Sequence, residues 1–173
     1  MKRFNAKKIA TLSLLCALSL LAFLLESLFP PLFFAGAKLG LSNIFTLLAL
    51  VMFGGAEAGL TVLAKCLLGA LFGGNFSALM YSLPASFAAL LTEYLLFRFL
   101  FPKISLVSVS VAAALVHSAV QNVVFALVTQ TKEALVYLPY LAVIGAIAGV
   151  AVGFAVYLTV KILPKNLFDN QRR

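Results

Sequence analysis

The chain has 173 residues, of which 64% are hydrophobic and 10% charged, and its mean hydropathy is +1.12. Polar side chains are too few to cover a soluble globule of this size, so the composition predicts an integral membrane protein. The thirteen lysines and arginines outnumber the five acidic residues, but they gather at the chain ends and in short connections. This distribution is typical of membrane orientation and argues against nucleic-acid binding.

The first predicted helix, 9–29, follows a basic start and contains about twenty apolar residues. The small residues Ala35 and Ala37 would suit a signal peptidase, so a cleaved signal peptide is the alternative interpretation. The apolar run is longer than a signal peptide needs and long enough to cross about 30 Å of hydrocarbon, which favours a membrane span.

Apolar runs bounded by glycine, proline or charge predict an all-α integral membrane protein with six transmembrane helices in a single domain, 1–173. The second helix is short, so we expect its entry to be unwound backbone that faces a cavity. The predicted helices span about 9–29, 39–53, 56–72, 77–101, 104–128 and 135–163.

Six spans bring both termini to one side of the membrane, and the basic residues identify that side. The positive-inside rule makes it the cytoplasm, which predicts a multi-pass protein of the cell membrane. The basic residues on this side are Lys2, Arg3, Lys7, Lys8, Arg98, Lys103, Lys161, Lys165, Arg172 and Arg173.

Polar residues of several predicted helices fall at similar depth, between the middle of the membrane and its outer surface. His117 and Gln121 are one turn apart and share a helix face. Two lysines and a histidine against one acid favour a ligand with a carboxylate or phosphate, while the many Phe and Leu residues favour an apolar body. The candidate substrate-binding residues are Glu26, Lys38, Asn43, Lys65, His117, Gln121 and Asn122.

These residues also have structural interpretations. Lys65 could form an ion pair with Glu26 or Glu93, because charges buried in membranes are usually paired. Lys38 could extend to the lipid headgroups, and Asn122 could form a hydrogen bond between helices. We expect Glu93, in the inner half of its helix, to be structural or to reach toward the cytoplasm.

Two rows of small residues predict close helix packing, either within this protein or between two proteins. The glycines of helix 6 are interpreted as internal packing, whereas the row on helix 1 is open to both uses. The rows are Ala6, Ala10, Ser13 and Ala17 in helix 1, and Gly145, Gly149 and Gly153 in helix 6.

The stretch Lys38-Leu39-Gly40-Leu41-Ser42-Asn43, the apolar residues 44–50, the segment 65–74 and His117 with Gln121 resemble the Gx transporter family. That family also carries the label heptaprenyl diphosphate synthase component I, and it is similar to the substrate-binding S-components of energy-coupling-factor transporters. The resemblance covers nearly the whole chain. Ser118 departs from an asparagine expected beside the histidine, which bears on the substrate more than on the class.

The resemblance implies an S-component-like bundle that captures a small, anionic, amphipathic metabolite from outside, such as a vitamin, a quinone precursor or an isoprenoid precursor. It implies docking, through the helix 1 row, on a transmembrane T-component that carries two cytoplasmic ATPases. The residues that it assigns to the binding site are Lys38, Asn43, Lys65, His117 and Gln121.

No residue pattern indicates catalysis, a cofactor or a metal. Cys16 and Cys66 stand alone in apolar runs, and the chain lacks a P-loop. A prenyl diphosphate synthase would need aspartate clusters to hold magnesium, whereas the one aspartate is Asp169. Two alternatives to the transporter subunit are a non-catalytic accessory subunit of such a synthase, and a stand-alone oligomeric transporter assembled through the helix 6 glycines.

Overall fold

A computed structural model describes residues 6–28 and 40–163 of the chain, and every regular element within these ranges is helical. Five segments are long and apolar enough to cross a membrane, so the chain is a multi-pass, all-α membrane protein. The elements are α1 (Ala6–Leu28), α2 (Asn43–Phe53), α3 (Gly55–Gly73), α4 (Phe76–Leu100), α5 (Leu106–Thr129), a 3₁₀ helix (Lys132–Tyr137) and α6 (Leu138–Ile162).

The six predicted helices are all present, but α2 is too short to be a sixth spanning helix. Its 11 residues rise roughly 16 Å, which is about half of the hydrocarbon thickness. The predicted start of this helix is about residue 39, whereas the helix begins at Asn43 and residues 40–42 are not helical. The sixth helix also begins later than predicted, at Leu138, because Pro139 in its first turn has no N–H to donate and suits a helix start.

Basic residues mark one end of the bundle, which we call the basic end. α1 and α3 both start there, as the ion pair between the Lys8 ammonium and the Glu57 carboxylate shows. α2 ends there as well, since Lys8 Nζ lies 5.8 Å from the centre of the Phe53 ring. Gly54 alone joins α2 to α3, with a φ of 111° that residues with a side chain rarely adopt. The other basic residues at this end are Lys7, Arg98, Lys103 and Lys161.

The short helix α2 lies at the centre of the bundle. It packs against α1, α3, α4 and α6, and every residue from 46 to 52 is buried. The long helices follow one another around it, in the order α1, α3, α4, α5 and α6. A helix that is apolar on all sides is stable where protein surrounds it. Because α2 fills only the half of the bundle nearest the basic end, its first residue faces the interior of the other half.

The helix 6 glycines lie against α5. A Cβ at Gly149 would come within 2.7 Å of the Val111 Cα, and one at Gly153 within 2.6 Å of the Val107 Cα. A Cβ at Gly145 would stand 2.8 Å from the Ser118 Oγ. These distances are shorter than real Cβ contacts, so the glycines allow the close approach of the two helices.

We expect Gly149→Ala to destabilise the bundle by about 1–3 kcal/mol, because the added methyl group meets backbone that cannot move aside. Gly59→Ala is the matched control, since its Cβ would find its nearest neighbour, the Leu90 Cδ2, at 3.9 Å. The control should be neutral or stabilising by about 0.5–1 kcal/mol, as is usual for glycine in a helix interior. Unfolding in mixed detergent and dodecyl sulfate micelles, followed by circular dichroism, measures both. Equal stabilities of the two variants would contradict the packing role.

Candidate functional site

A tight turn precedes α2 inside the bundle. The Asn43 N–H donates to the Gly40 carbonyl at 2.9 Å, and the Ile44 N–H donates to the Leu41 carbonyl at 3.1 Å. Gly40 has a φ of 78°, and a Cβ there would come within 3.1 Å of the Asn43 Nδ2. The backbone conformation therefore favours glycine, and a side chain here would also press on the Asn43 amide. The turn directs the chain straight into the first residue of α2.

Two side chains of α1 hold this turn. The Ser19 hydroxyl donates to the Ser42 carbonyl at 3.2 Å, and the Glu26 carboxylate accepts the Leu41 N–H. Ser19 and Glu26 are both buried. Non-helical backbone at membrane depth must find its hydrogen-bond partners within the protein, and α1 supplies them here. Glu26 therefore has a defined contact, to the backbone of the turn.

Lys65, from the middle of α3, binds the first residues of α2. Its Nζ donates to the Asn43 Oδ1 at 2.7 Å and to the Ser42 Oγ at 3.2 Å, and the side chain is only 1% exposed. In the described part of the chain Lys65 forms no salt bridge, and the charges of Glu26 and Glu93 act on it from a longer distance. The ion pair that the sequence allowed is thus not made with either residue; neutral oxygens bind the ammonium.

A small cavity lies beside the start of α2, with a volume of about 10 Å³, close to the space of one water molecule. Three glycines, Gly40, Gly145 and Gly149, form part of its wall. Its polar lining comes from α2, α4 and α5 and consists of Asn43, Glu93, Ser110, His117 and Ser118. The structure therefore brings Asn43 and His117, from distant parts of the sequence, to one cavity.

The remaining predicted site residues are not among those that line this cavity, or they lie outside the described ranges. Gln121 and Asn122 are buried on α5, and the Asn122 Nδ2 donates to the Ala134 carbonyl at 3.1 Å. This bond attaches the 3₁₀ helix to α5, so Asn122 has a structural contact. Lys38 lies outside the described residues, and its part in the site stays a prediction.

For Glu93 the structure contradicts one of the two expected roles. The side chain does not reach toward the cytoplasm, since it is 2% exposed and lines the cavity. Ser82 and Ser86 are buried as well, and their spacing to Glu93 puts all three on one face of α4. This polar face was the available signal: a carboxylate in line with two inward hydroxyls points into the bundle.

The row of small residues on α1 faces away from the bundle. Leu15, Ser19 and Phe23 are buried on the inner side of α1. Every member of the row is exposed: Ala6, Ala10, Ser13 and Ala17. This surface is the outer side of α1.

The site combines two sources of positive potential. One is the buried ammonium of Lys65, and the other is the N-terminal end of α2, where helix dipoles leave a partial positive charge. Both lie at the same point, since Lys65 contacts the first residue of α2. Such an arrangement favours a negatively charged group.

These features define a multi-pass, all-α membrane protein with a buried polar site at the start of a half-length helix. The family model described as heptaprenyl diphosphate synthase component I matches residues 15–159, and the chain belongs to that family. The family expected from the sequence is thereby confirmed. No curated protein and no solved structure matches the chain.

We expect Asn43→Leu to destabilise the fold by about 1.5–3 kcal/mol, because it removes the closest acceptor of a buried ammonium. Asn43→Asp is the matched control, since it retains an oxygen acceptor. When Asn43→Leu is introduced into the Lys65→Met variant, the loss of unfolding free energy should be smaller by about 1 kcal/mol or more. Unfolding in dodecyl sulfate micelles measures this double-mutant cycle. Strictly additive effects would mean that the bond between Lys65 and Asn43 contributes nothing.

Proposed function

We propose that this chain is the substrate-binding subunit of an uptake transporter of the energy-coupling-factor type in the cell membrane. In this role it captures a small, anionic, amphipathic metabolite from outside and has no catalytic activity of its own. ATP hydrolysis then belongs to partner ATPases, which act through a transmembrane T-component.

The observation that carries this proposal is the position of Lys65. A lysine buried inside a membrane bundle is costly, and such residues usually mark a binding site or a transport path. Lys65 is bound by the neutral oxygens of Asn43 and Ser42. A carboxylate or phosphate adds the attraction between opposite charges to the hydrogen bond, which these neutral oxygens do not, so it can replace these contacts.

The cavity explains how capture would proceed. At about 10 Å³ it holds no metabolite, so the start of α2 has to move when a ligand enters. A ligand whose anion takes the place of Asn43 on Lys65 releases that start from α3. His117 lines the adjacent wall, and Gln121 lies one turn further along α5. With the basic end toward the cytoplasm, this half of the bundle opens to the outside.

The outer side of α1 supports a partner in the membrane. Ala6, Ala10, Ser13 and Ala17 are exposed and lie on one face, and small residues allow another helix to approach closely. All four fall in the half of α1 nearest the basic end. A T-component with ATPases on the cytoplasmic side would meet α1 at this height.

A second candidate is a non-catalytic accessory subunit of a prenyl diphosphate synthase. The family description, heptaprenyl diphosphate synthase component I, favours it and implies a partner subunit. A site for an anionic head and an apolar body suits an isoprenoid diphosphate as well. The two candidates differ in the partner: a T-component with ATPases, or a catalytic synthase subunit.

We expect Lys65→Met to lower the amount of bound anionic metabolite roughly tenfold or more, because one charge-assisted hydrogen bond contributes about 1.5–3 kcal/mol. The protein is purified from cells without added ligand, and its bound metabolites are extracted and identified by mass spectrometry. Lys65→Arg, which keeps the charge, should retain most of the metabolite. Lys161→Met, at the basic end, is the control for loss of a lysine. If folded Lys65→Met retains the same amount of bound metabolite as the wild type, the assignment of the anion site is refuted.

We expect Ala10→Trp to reduce the recovery of membrane and ATPase partners by at least tenfold in affinity purification, because a large ring prevents close helix contact. Ala151→Trp is the matched control, as Ala151 is exposed on α6. Both variants should keep the helical circular dichroism of the wild type. Recovery of a synthase subunit in place of ATPases would favour the second candidate, and equal recovery from both variants would exclude docking through α1.

A further inference from the structure

Glu93 is the most deeply buried acid among the described residues. Its Oε2 accepts no hydrogen bond from any residue in ranges 6–28 and 40–163, and within them its carboxylate forms no salt bridge. Leaving such an oxygen buried without a partner is costly, and for a charged group the cost is higher. The carboxylate therefore requires a partner that is not a side chain of the described chain.

The cavity beside Glu93 has the size and lining of a site for a single small ion. Its volume of about 10 Å³ fits one water or one dehydrated ion. The hydroxyls of Ser110 and Ser118 share this cavity with the carboxylate, and Ser110 is itself buried. Oxygen ligands of this kind suit hard cations, and a single carboxylate balances one positive charge.

Lys65 is the nearest alternative source of positive charge, but its hydrogen bonds are made elsewhere. Its Nζ donates to Asn43 and Ser42, while its interaction with Glu93 is a longer-range attraction. Lys65 therefore binds the start of α2, while Glu93 lines the cavity and its Oε2 is buried without a hydrogen-bond partner among the described residues.

We propose that the cavity beside Glu93 binds a monovalent cation, either a sodium ion or a proton, which neutralises the Glu93 carboxylate. Each removes the negative charge of the carboxylate: a sodium ion by coordination in the cavity, a proton by forming an O–H bond with a carboxylate oxygen. In the proposed uptake function, a neutralised Glu93 leaves the charge of Lys65 to the ligand's anion, so that anion and cation bind together. That consequence rests on the proposed function, whereas the cation site does not depend on it.

The titratable groups around Glu93 come from three helices. Lys65 faces it from α3, and Glu26 from α1 acts on the same lysine. The buried Cys66 of α3 also acts on Lys65, and its Sγ contacts the Ser86 hydroxyl of α4. His117 lines the cavity from α5. α2 and α6 line the cavity only with groups that do not titrate. Comparison with Glu93→Gln isolates Glu93, because the other four groups stay in place.

The test measures thermal unfolding of the full chain in detergent by circular dichroism, with no metabolite added. In one arm NaCl replaces choline chloride at constant ionic strength and fixed pH. In the other arm the pH is lowered in choline chloride. The melting temperature of the wild type should rise by about 5 °C in at least one arm, since a ligand that binds only the folded state stabilises it. The arm that responds identifies the cation, and Glu93→Gln should remove the response.

Two further variants keep the test decisive. Glu57→Gln changes an acid at the basic end, away from the cavity, and should respond to sodium as the wild type does. Ser110→Ala removes one cavity oxygen and should at least halve the rise in melting temperature. If Glu93→Gln does not fold, this variant tests the cation site in its place. A cavity that holds only water predicts no response of the wild type in either arm, and that result would overturn the proposal. An equal response in folded Glu93→Gln, or an undiminished one in Ser110→Ala, would overturn it too.

Discussion

The hydrogen bond from Lys65 to Asn43 is the contact on which the interior of this protein depends. A helix that begins halfway across a membrane exposes its first backbone groups where water and lipid headgroups cannot reach them. Lys65, Ser19 and Glu26 provide polar partners at that depth. Because these partners belong to α1 and α3, the two helices and the start of α2 form one polar unit inside an apolar bundle.

The short length of α2 creates the cavity. A full-length helix in this position would fill the centre of the bundle from end to end, whereas 11 residues fill only one half. Close contact of α5 and α6 through Gly145 and Gly149 then reduces the other half to a small polar space. The site is therefore a product of two constraints, a helix that starts late and two helices that pack without side chains between them.

Much of this arrangement could be predicted from the sequence, because hydropathy and glycine spacing are local signals. The five spanning segments and the unwound start of α2 are of that kind. The position of Glu93 was not predicted, since a single acid near Arg98 looks like a residue that extends to the membrane surface. The environment of Glu93 depends on which face of α4 meets α5. The buried Ser82 and Ser86 identify that face only when their spacing to Glu93 is considered.

α1 connects the two halves of the proposed function. Its inner side holds the turn before α2 through Ser19 and Glu26, and its outer side carries the exposed small residues. A partner that pulled or tilted α1 would stretch both contacts to the turn, because a helix moves as a rigid rod over this length. Loss of these bonds would leave the turn attached to α3 through Lys65 and to the first residues of α2, and an anion on Lys65 competes for the bonds of that lysine as well. Ligand and partner would thus act on the same turn from opposite sides, which is a physical route for coupling between capture outside and ATP hydrolysis inside.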